Sequence, residues 1–82
     1  MTKHQYKKMI NDDILGYGIS QFHTKEGFWS IETDPCYYNY SNPNAPMRYS
    51  VTLLKDHISI EVLKSFRGKT LMEVAELVSG ES

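Results

Sequence analysis

The chain has 82 residues, one cysteine and a formal net charge of −1, with nine Lys and Arg against ten Asp and Glu. This size predicts a single domain over residues 1–82 with a modest core, for which a homodimer is a reasonable assembly. The near-neutral charge excludes a strongly basic protein that coats nucleic acid, and one cysteine excludes an internal disulfide. The short apolar runs predict no membrane span and no signal peptide, and therefore a cytoplasmic location.

The first residues have the pattern of a helix. Thr2 and Gln5 have the spacing of a capping box, in which each side chain bonds a backbone amide of the other residue. Apolar residues follow at helical spacing and form one stripe. We predict a helix over about 2–12, with Gly16 as the alternative end. The stripe consists of Tyr6, Met9, Ile10 and Ile14.

From residue 15 the apolar period changes to two, which is typical of a strand. The segment 24–27 ends in glycine and suits a tight turn, and residues 28–33 alternate again. Residues 15–33 are therefore predicted to form a hairpin. The side chains expected to face the core are Tyr17, Ile19, Trp29 and Ile31.

Residues 34–47 hold three of the six tyrosines, the one cysteine and all three prolines. Each proline fixes φ and removes a backbone donor, so three in so short a stretch argue against a helix or a central strand. Tyr, Asn and Ser are the residues that recognition loops use most. The segment is therefore predicted to be a long loop with a binding role.

A second hairpin is predicted over about 48–63. Residues 48–53 alternate between apolar and polar, Lys55 and Asp56 suit a reversal, and residues 57–62 alternate again. In this interpretation the returning strand turns three apolar side chains toward the core, and they are Ile58, Ile60 and Val62.

The C-terminal segment is predicted to be a helix over about 70–79. Thr70 and Glu73 form a second capping box, and Gly80 is a suitable stop. The order helix, hairpin, loop, hairpin, helix predicts the α+β class. We expect a four-stranded antiparallel sheet of two hairpins, with the N-terminal and C-terminal helices packed on one face.

The chemistry-bearing residues do not form a recognisable catalytic or metal-binding motif. Cys36 and the histidines lack the spacings that hold metal ligands, so we expect no metal site and no cofactor. Cys36 would act as a nucleophile only with a histidine in hydrogen-bond reach. So short a chain also leaves little room for a deep cleft. We therefore predict that the protein is not an enzyme, with a thiol-dependent activity through Cys36 as an alternative.

A small basic group precedes the C-terminal helix. Lys64, Arg67 and Lys69 lie just before a helix start, where free amides favour an anion or a phosphate. A complete mononucleotide-binding loop is excluded, because the first glycine of that motif would fall at Leu63. The non-functional alternative is that these three basic residues lie on a solvent-exposed turn and bind no ligand.

The tyrosine-rich loop supports the main functional hypothesis, a small non-catalytic protein-binding module. Such a module would dock on a protein partner and occlude part of its surface, as a phage or mobile-element inhibitor of a host protein does. Packing of the tyrosines as cover for the sheet is an equally weighted structural alternative. The second functional alternative is a nucleic-acid-associated regulator that uses the basic group and stacks loop tyrosines on bases. The candidate partner-binding residues are Tyr37, Tyr38, Asn39, Tyr40, Asn42 and Arg48.

Overall fold

A computed structural model describes residues 1–34 and 47–81 of the chain. The strands form one antiparallel sheet in the order β1-β2-β3-β4, so the predicted α+β class and the four-stranded sheet are confirmed. The elements within the described residues are α1 Lys3–Tyr17, β1 Ile19–Thr24, β2 Gly27–Thr33, β3 Tyr49–Leu54, β4 Val62–Lys69 and α2 Leu71–Ser79.

Helix α1 begins at the predicted capping box. The Thr2 hydroxyl accepts a hydrogen bond from the Gln5 amide at 3.3 Å, and the Gln5 side chain accepts one from the Thr2 amide at 2.7 Å. The helix ends at Tyr17 rather than near residue 12, and Gly18 is the left-handed cap with φ of 79°. Neither predicted stop is the one that the chain uses.

The acidic residues at 12 and 13 do not end α1, because both carboxylates have partners. Lys8 Nζ donates to Asp12 across one helical turn at 2.9 Å. The Ser20 hydroxyl donates to Asp13 at 2.8 Å. These contacts offset the unfavourable position of negative charges toward a helix C-terminus.

The first hairpin forms, but β1 turns the opposite set of side chains toward the core from the one predicted. Ser20 pairs with Ile31 and Phe22 pairs with Trp29, and partners across an antiparallel ladder share a face. Because α1 takes in Tyr17, the strand starts only at Ile19, and Tyr17 is left highly exposed. The prediction that Tyr17 and Ile19 face the core is therefore wrong.

The second hairpin forms later in the chain than predicted. β3 occupies Tyr49–Leu54, but β4 occupies Val62–Lys69, and residues 55–61 form the connection. Ile58 and Ile60 lie in this connection and are exposed rather than buried. The prediction that 57–62 is the returning strand with its apolar side chains inward is therefore wrong.

Local hydrogen bonds explain why residues 55–61 form a loop. The Ile58 amide donates to the Asp56 carboxylate and the Glu61 amide donates to the Ser59 hydroxyl, both at 3.0 Å. Such side-chain acceptors compete with strand pairing for backbone donors. The Lys55 amide closes the loop by donating to the Glu61 carbonyl at 3.1 Å.

Both helices pack against one face of the sheet, as predicted. The buried side chains of α1 and α2 meet the inward side chains of the three strands β1–β3 and β4's Phe66. α2 matches its predicted range and contributes its apolar stripe to this core. The fully or nearly buried apolar side chains are Ile10, Trp29, Ile31, Tyr49, Val51, Leu53, Val74, Ala75 and Val78.

Helix α2 is fixed at its start by a second capping box. The Thr70 hydroxyl accepts from the Glu73 amide at 3.2 Å, and the Glu73 carboxylate accepts from the Thr70 amide at 3.0 Å. These hydrogen bonds with Thr70 lower the pKa of the Glu73 carboxyl below its ordinary value. Its share of stability is therefore present above the ordinary carboxyl range and is lost as the pH falls through the lowered pKa.

We expect Thr70→Ala to lower the free energy of unfolding by about 1 kcal/mol, because the substitution leaves an N-terminal amide of α2 without its acceptor. Urea titration at neutral pH measures the change. Thr2→Ala removes the equivalent hydroxyl of α1 and is the matched control, with a loss of about the same size. A Thr70→Ala protein as stable as the natural one would contradict the role of this cap.

Candidate functional site

Most of the predicted partner-binding residues lie outside the described residues. Tyr37, Tyr38, Asn39, Tyr40 and Asn42 fall within 35–46, as does Cys36. Their assignment as a binding surface therefore stays a prediction, and so does the thiol alternative.

Arg48 is the one residue of the predicted partner-binding set that the structure describes. It precedes β3 and is half-buried. Its Nη1 atom lies 3.4 Å from the Gly68 carbonyl oxygen and 3.8 Å from the Glu73 carboxylate. Arg48 thus links β3 to the junction between β4 and α2, and these contacts hold its guanidinium beside the protein's own acceptors.

The predicted basic group does not form one cluster of equivalent charges. Arg67 makes two hydrogen bonds to the Asp34 carboxylate, at 2.9 and 3.1 Å. Lys69 lies with its ammonium 5.9 Å from the centre of the Phe66 ring and helps to lower the pKa of Glu73. Lys64 is exposed on β4. An anion would therefore compete with Asp34 for Arg67 and with Glu73 for Lys69.

The ion pair between Asp34 and Arg67 fastens the end of β2 to β4. The Asp34 side chain is 0% exposed, whereas the Arg67 side chain is 57% exposed. The Asp34 amide also donates to the Arg48 carbonyl at 2.9 Å. Sequence reasoning missed this role, because nothing in the spacing of residues 34 and 67 indicates that they meet.

The structure exposes an apolar segment in which three residues, Ile58, Ile60 and Val62, were predicted to face the core. We call residues 58–63 the open segment. Four of its six side chains are apolar, and a water-exposed cluster of this kind is unusual in a monomeric protein. The exposed fractions are 81% for Ile58, 97% for Ile60, 54% for Val62 and 46% for Leu63.

An apolar row adjoins the open segment on the face of the sheet opposite the helices. His23 pairs with Phe28, Phe28 with Leu54, and Leu54 with Val62, so the row crosses all four strands. The His23 ring lies 4.8 Å from the Phe28 ring, centre to centre, and 5.4 Å from that of His57. We call His23, Phe28, Leu54, Val62 and His57 the outer row.

The neighbouring row on the same face is polar. It contains Gln21 and Ser30, whose side chains hydrogen-bond at 3.3 Å, followed by Thr52 and Ser65. Apolar character on this face is therefore concentrated at the end of the sheet that carries the open segment. The sequence signal for the open segment was the alternation of residues 57–62, which we assigned to an inward-facing strand although Ile58 and Ile60 lie in a loop.

The described residues include no cluster of metal ligands and no helix that could cross a membrane. Among residues 1–34 and 47–81, no three His, Cys, Asp or Glu side chains come together as metal ligands. In the same ranges neither helix has the length and apolar character needed to cross a bilayer.

Comparison with known proteins does not assign a function. No protein-family model matches the chain. No curated protein and no solved structure shows significant similarity to it.

Proposed function

We propose that the protein is a small non-catalytic protein-binding module that docks on its partner through the open segment and the outer row. The observation that carries the proposal is the exposure of four apolar side chains within the six residues 58–63. Burying one such side chain on contact with a partner contributes roughly 1.5–3 kcal/mol. Aliphatic side chains supply contact area and no nucleophile or proton donor, which favours binding over catalysis.

The open segment also carries an unused strand pattern. Residues 57–62 alternate apolar and polar side chains, yet regular pairing begins only at Val62. Conflicts between a local preference and the global fold concentrate at functional sites. Contact with a partner would give Ile58 and Ile60 the apolar environment that their alternation requires.

Docking at this end of the sheet would act by occlusion. The open segment and the outer row share Val62, so exposed apolar side chains lie both on the 55–61 loop and on the adjoining sheet face. A partner surface that binds these side chains would be covered, and it could no longer bind its other ligands. The 34–47 loop remains a second predicted contact, and the cytoplasmic location remains a prediction.

The nucleic-acid alternative has less support. Its strongest cation, Arg67, donates two hydrogen bonds to a buried carboxylate, so moving Arg67 onto a phosphate would disrupt a structural ion pair. The remaining electrostatic footprint is small, and affinity for nucleic acid scales with the number of phosphates neutralised.

The proposal predicts that Ile58→Ser/Ile60→Ser loses the partner. The natural protein, immobilised and exposed to a lysate of cells that carry its gene, should retain a protein that elutes in stoichiometric amounts. The double variant should bind that protein at least tenfold more weakly, which corresponds to about 1.4 kcal/mol. Titration calorimetry with the purified partner measures the difference.

Leu15→Ser/Tyr17→Ser is the matched control, because it removes two highly exposed apolar side chains elsewhere on the surface. This control should retain the natural affinity. Equal binding by the natural protein and by Ile58→Ser/Ile60→Ser would contradict the proposal, as would a natural protein that retains no partner.

A further inference from the structure

The two edges of the sheet differ in how they are protected against pairing with another strand. β4 carries three basic residues and two shifts of register against β3. Bulges and edge lysines are the usual devices that discourage edge-to-edge pairing. β1 has the sequence ISQFHT, without Lys, Arg, Asp, Glu or Pro, and keeps an unbroken register with β2. Within the described residues, β1 pairs with β2 alone.

Within residues 1–34 and 47–81, the backbone of β1 has groups available for a further strand. A two-residue turn joins Thr24 to Gly27, so Thr24 and every second residue before it bond toward β2. The alternate residues, Ile19, Gln21 and His23, therefore direct their N–H and C=O groups away from the sheet. These are three regularly spaced donor and acceptor pairs along one edge.

We propose that two copies of the chain associate through β1, antiparallel, about a two-fold axis at Gln21. In this register Gln21 pairs with its own copy, and Ile19 pairs with His23 of the other copy. The two sheets then join into one eight-stranded sheet with all helices on the same face. The arrangement goes beyond the proposed function, because it uses the opposite edge of the sheet from the open segment.

Charge favours a second copy at β1 and disfavours one at β4. Self-pairing of β4 would bring together six positive charges, three from each copy, whereas β1 brings together none. Like charges on neighbouring strands are destabilising. The chemistry of the β1 edge therefore fits an uncharged strand, which its own copy supplies.

Helix α1 lies beside β1 at the same interface. Tyr6 stacks on Phe22 and Asp13 accepts from Ser20, so α1 runs alongside β1 in the opposite direction. A two-fold axis at Gln21 passes level with the middle of α1. The exposed Lys8 and Asp12 of this helix already pair with each other within each copy at 2.9 Å, so the pair brings no net charge to the axis.

Sedimentation equilibrium of the purified protein tests the proposal. We expect a species of twice the 9.5 kDa chain mass at micromolar concentration. Gln21→Lys places two like charges at the axis and should raise the dissociation constant at least tenfold. Ser65→Lys, on the exposed edge strand β4, is the matched control and should leave the dimer intact. Gln21→Thr should also retain the dimer, because threonine is uncharged and favours strands. This variant shows whether any substitution at position 21 weakens the dimer or only a charged one does.

Two outcomes would overturn the proposal. One is a protein that stays monomeric at every concentration up to about 1 mM, because its dissociation constant would then be too high for a specific dimer. The other is a dimer that survives Gln21→Lys while Ile58→Ser/Ile60→Ser dissociates it, because the contact would then be the open segment. Loss of partner binding with an unchanged dimer concerns the proposed function alone, so the two failures are distinguishable.

Discussion

Trp29→Ala should lower the free energy of unfolding by about 3–5 kcal/mol, the cost of removing a large aromatic side chain from a packed core. Trp29 is 1% exposed and lies on β2 between Phe22 of β1 and Leu53 of β3. Its indole Nε1 donates to the Thr24 hydroxyl at 2.8 Å. A chain of this size has only about 5–15 kcal/mol of total stability, so the variant should be largely unfolded under mild denaturant.

Trp29→Phe is the control for the shape of the core. It retains an aromatic ring and loses the hydrogen bond to Thr24, so we expect a smaller loss of about 1–2 kcal/mol. Urea titrations followed by circular dichroism compare the three proteins. A Trp29→Ala protein that loses less than about 1 kcal/mol would show that this side chain is not central to the core.

Arg67→Ala should destabilise the protein by about 2–3 kcal/mol. Removing one partner of a buried ion pair typically costs about 3–5 kcal/mol, and we expect the lower figure because Arg67 is itself half-exposed. The Asp34 carboxylate stays buried and loses two hydrogen bonds, at 2.9 and 3.1 Å. Urea titration at neutral pH measures the loss.

Two further variants separate the ion pair from other effects of the substitution. Lys64→Ala removes an exposed charge from the same strand and should change the free energy of unfolding by less than about 0.5 kcal/mol. Asp34→Asn/Arg67→Ala should cost less than the sum of the two single changes, because the contact can be lost only once. Equal effects of Arg67→Ala and Lys64→Ala would contradict the structural role of the pair.

Interactions between residues close together in the chain were enough to predict the helix starts, the buried face of α2 and the presence of hairpins. The capping boxes at Thr2 and Thr70 are present, and the apolar stripe of α2 packs where its spacing indicated. The presence of four antiparallel strands also followed from two alternating hairpins, whereas the order of the strands in the sheet came from the structure. Each of these features depends on residues close together in the chain.

The wrong predictions concern the face of β1 and the start of β4. Both depend on contacts between distant residues or on side-chain hydrogen bonds that compete with strand pairing. The face of β1 depends on where α1 ends, and α1 continues because Lys8 and Ser20 supply partners for its acidic residues. The open segment has a strand pattern, but Asp56 and Ser59 accept the backbone donors that a strand would use. The spacing of apolar residues alone indicates neither where α1 ends nor which side chains accept the backbone donors of the loop.

The candidate site could be predicted only in part. The sequence identified the alternating apolar residues at 58, 60 and 62, but it assigned them to the core, and only the structure shows that they face water. The ion pair of Asp34 with Arg67 joins residues far apart in the chain and left no local signal. The tyrosines at 37, 38 and 40 lie outside the described residues and remain a prediction.

Hydrogen exchange on the protein, alone and saturated with the partner recovered by capture, tests the central claim most directly. In the protein alone, the amides of Ser59 and Ile60 should exchange fast, because these residues belong to no strand, whereas the Ile58 amide donates to the Asp56 side chain. With the partner, the amides of the open segment should exchange at least tenfold more slowly, as contact excludes water from them. Protection confined to other parts of the chain, with unchanged exchange at 58–63, would contradict docking through this surface.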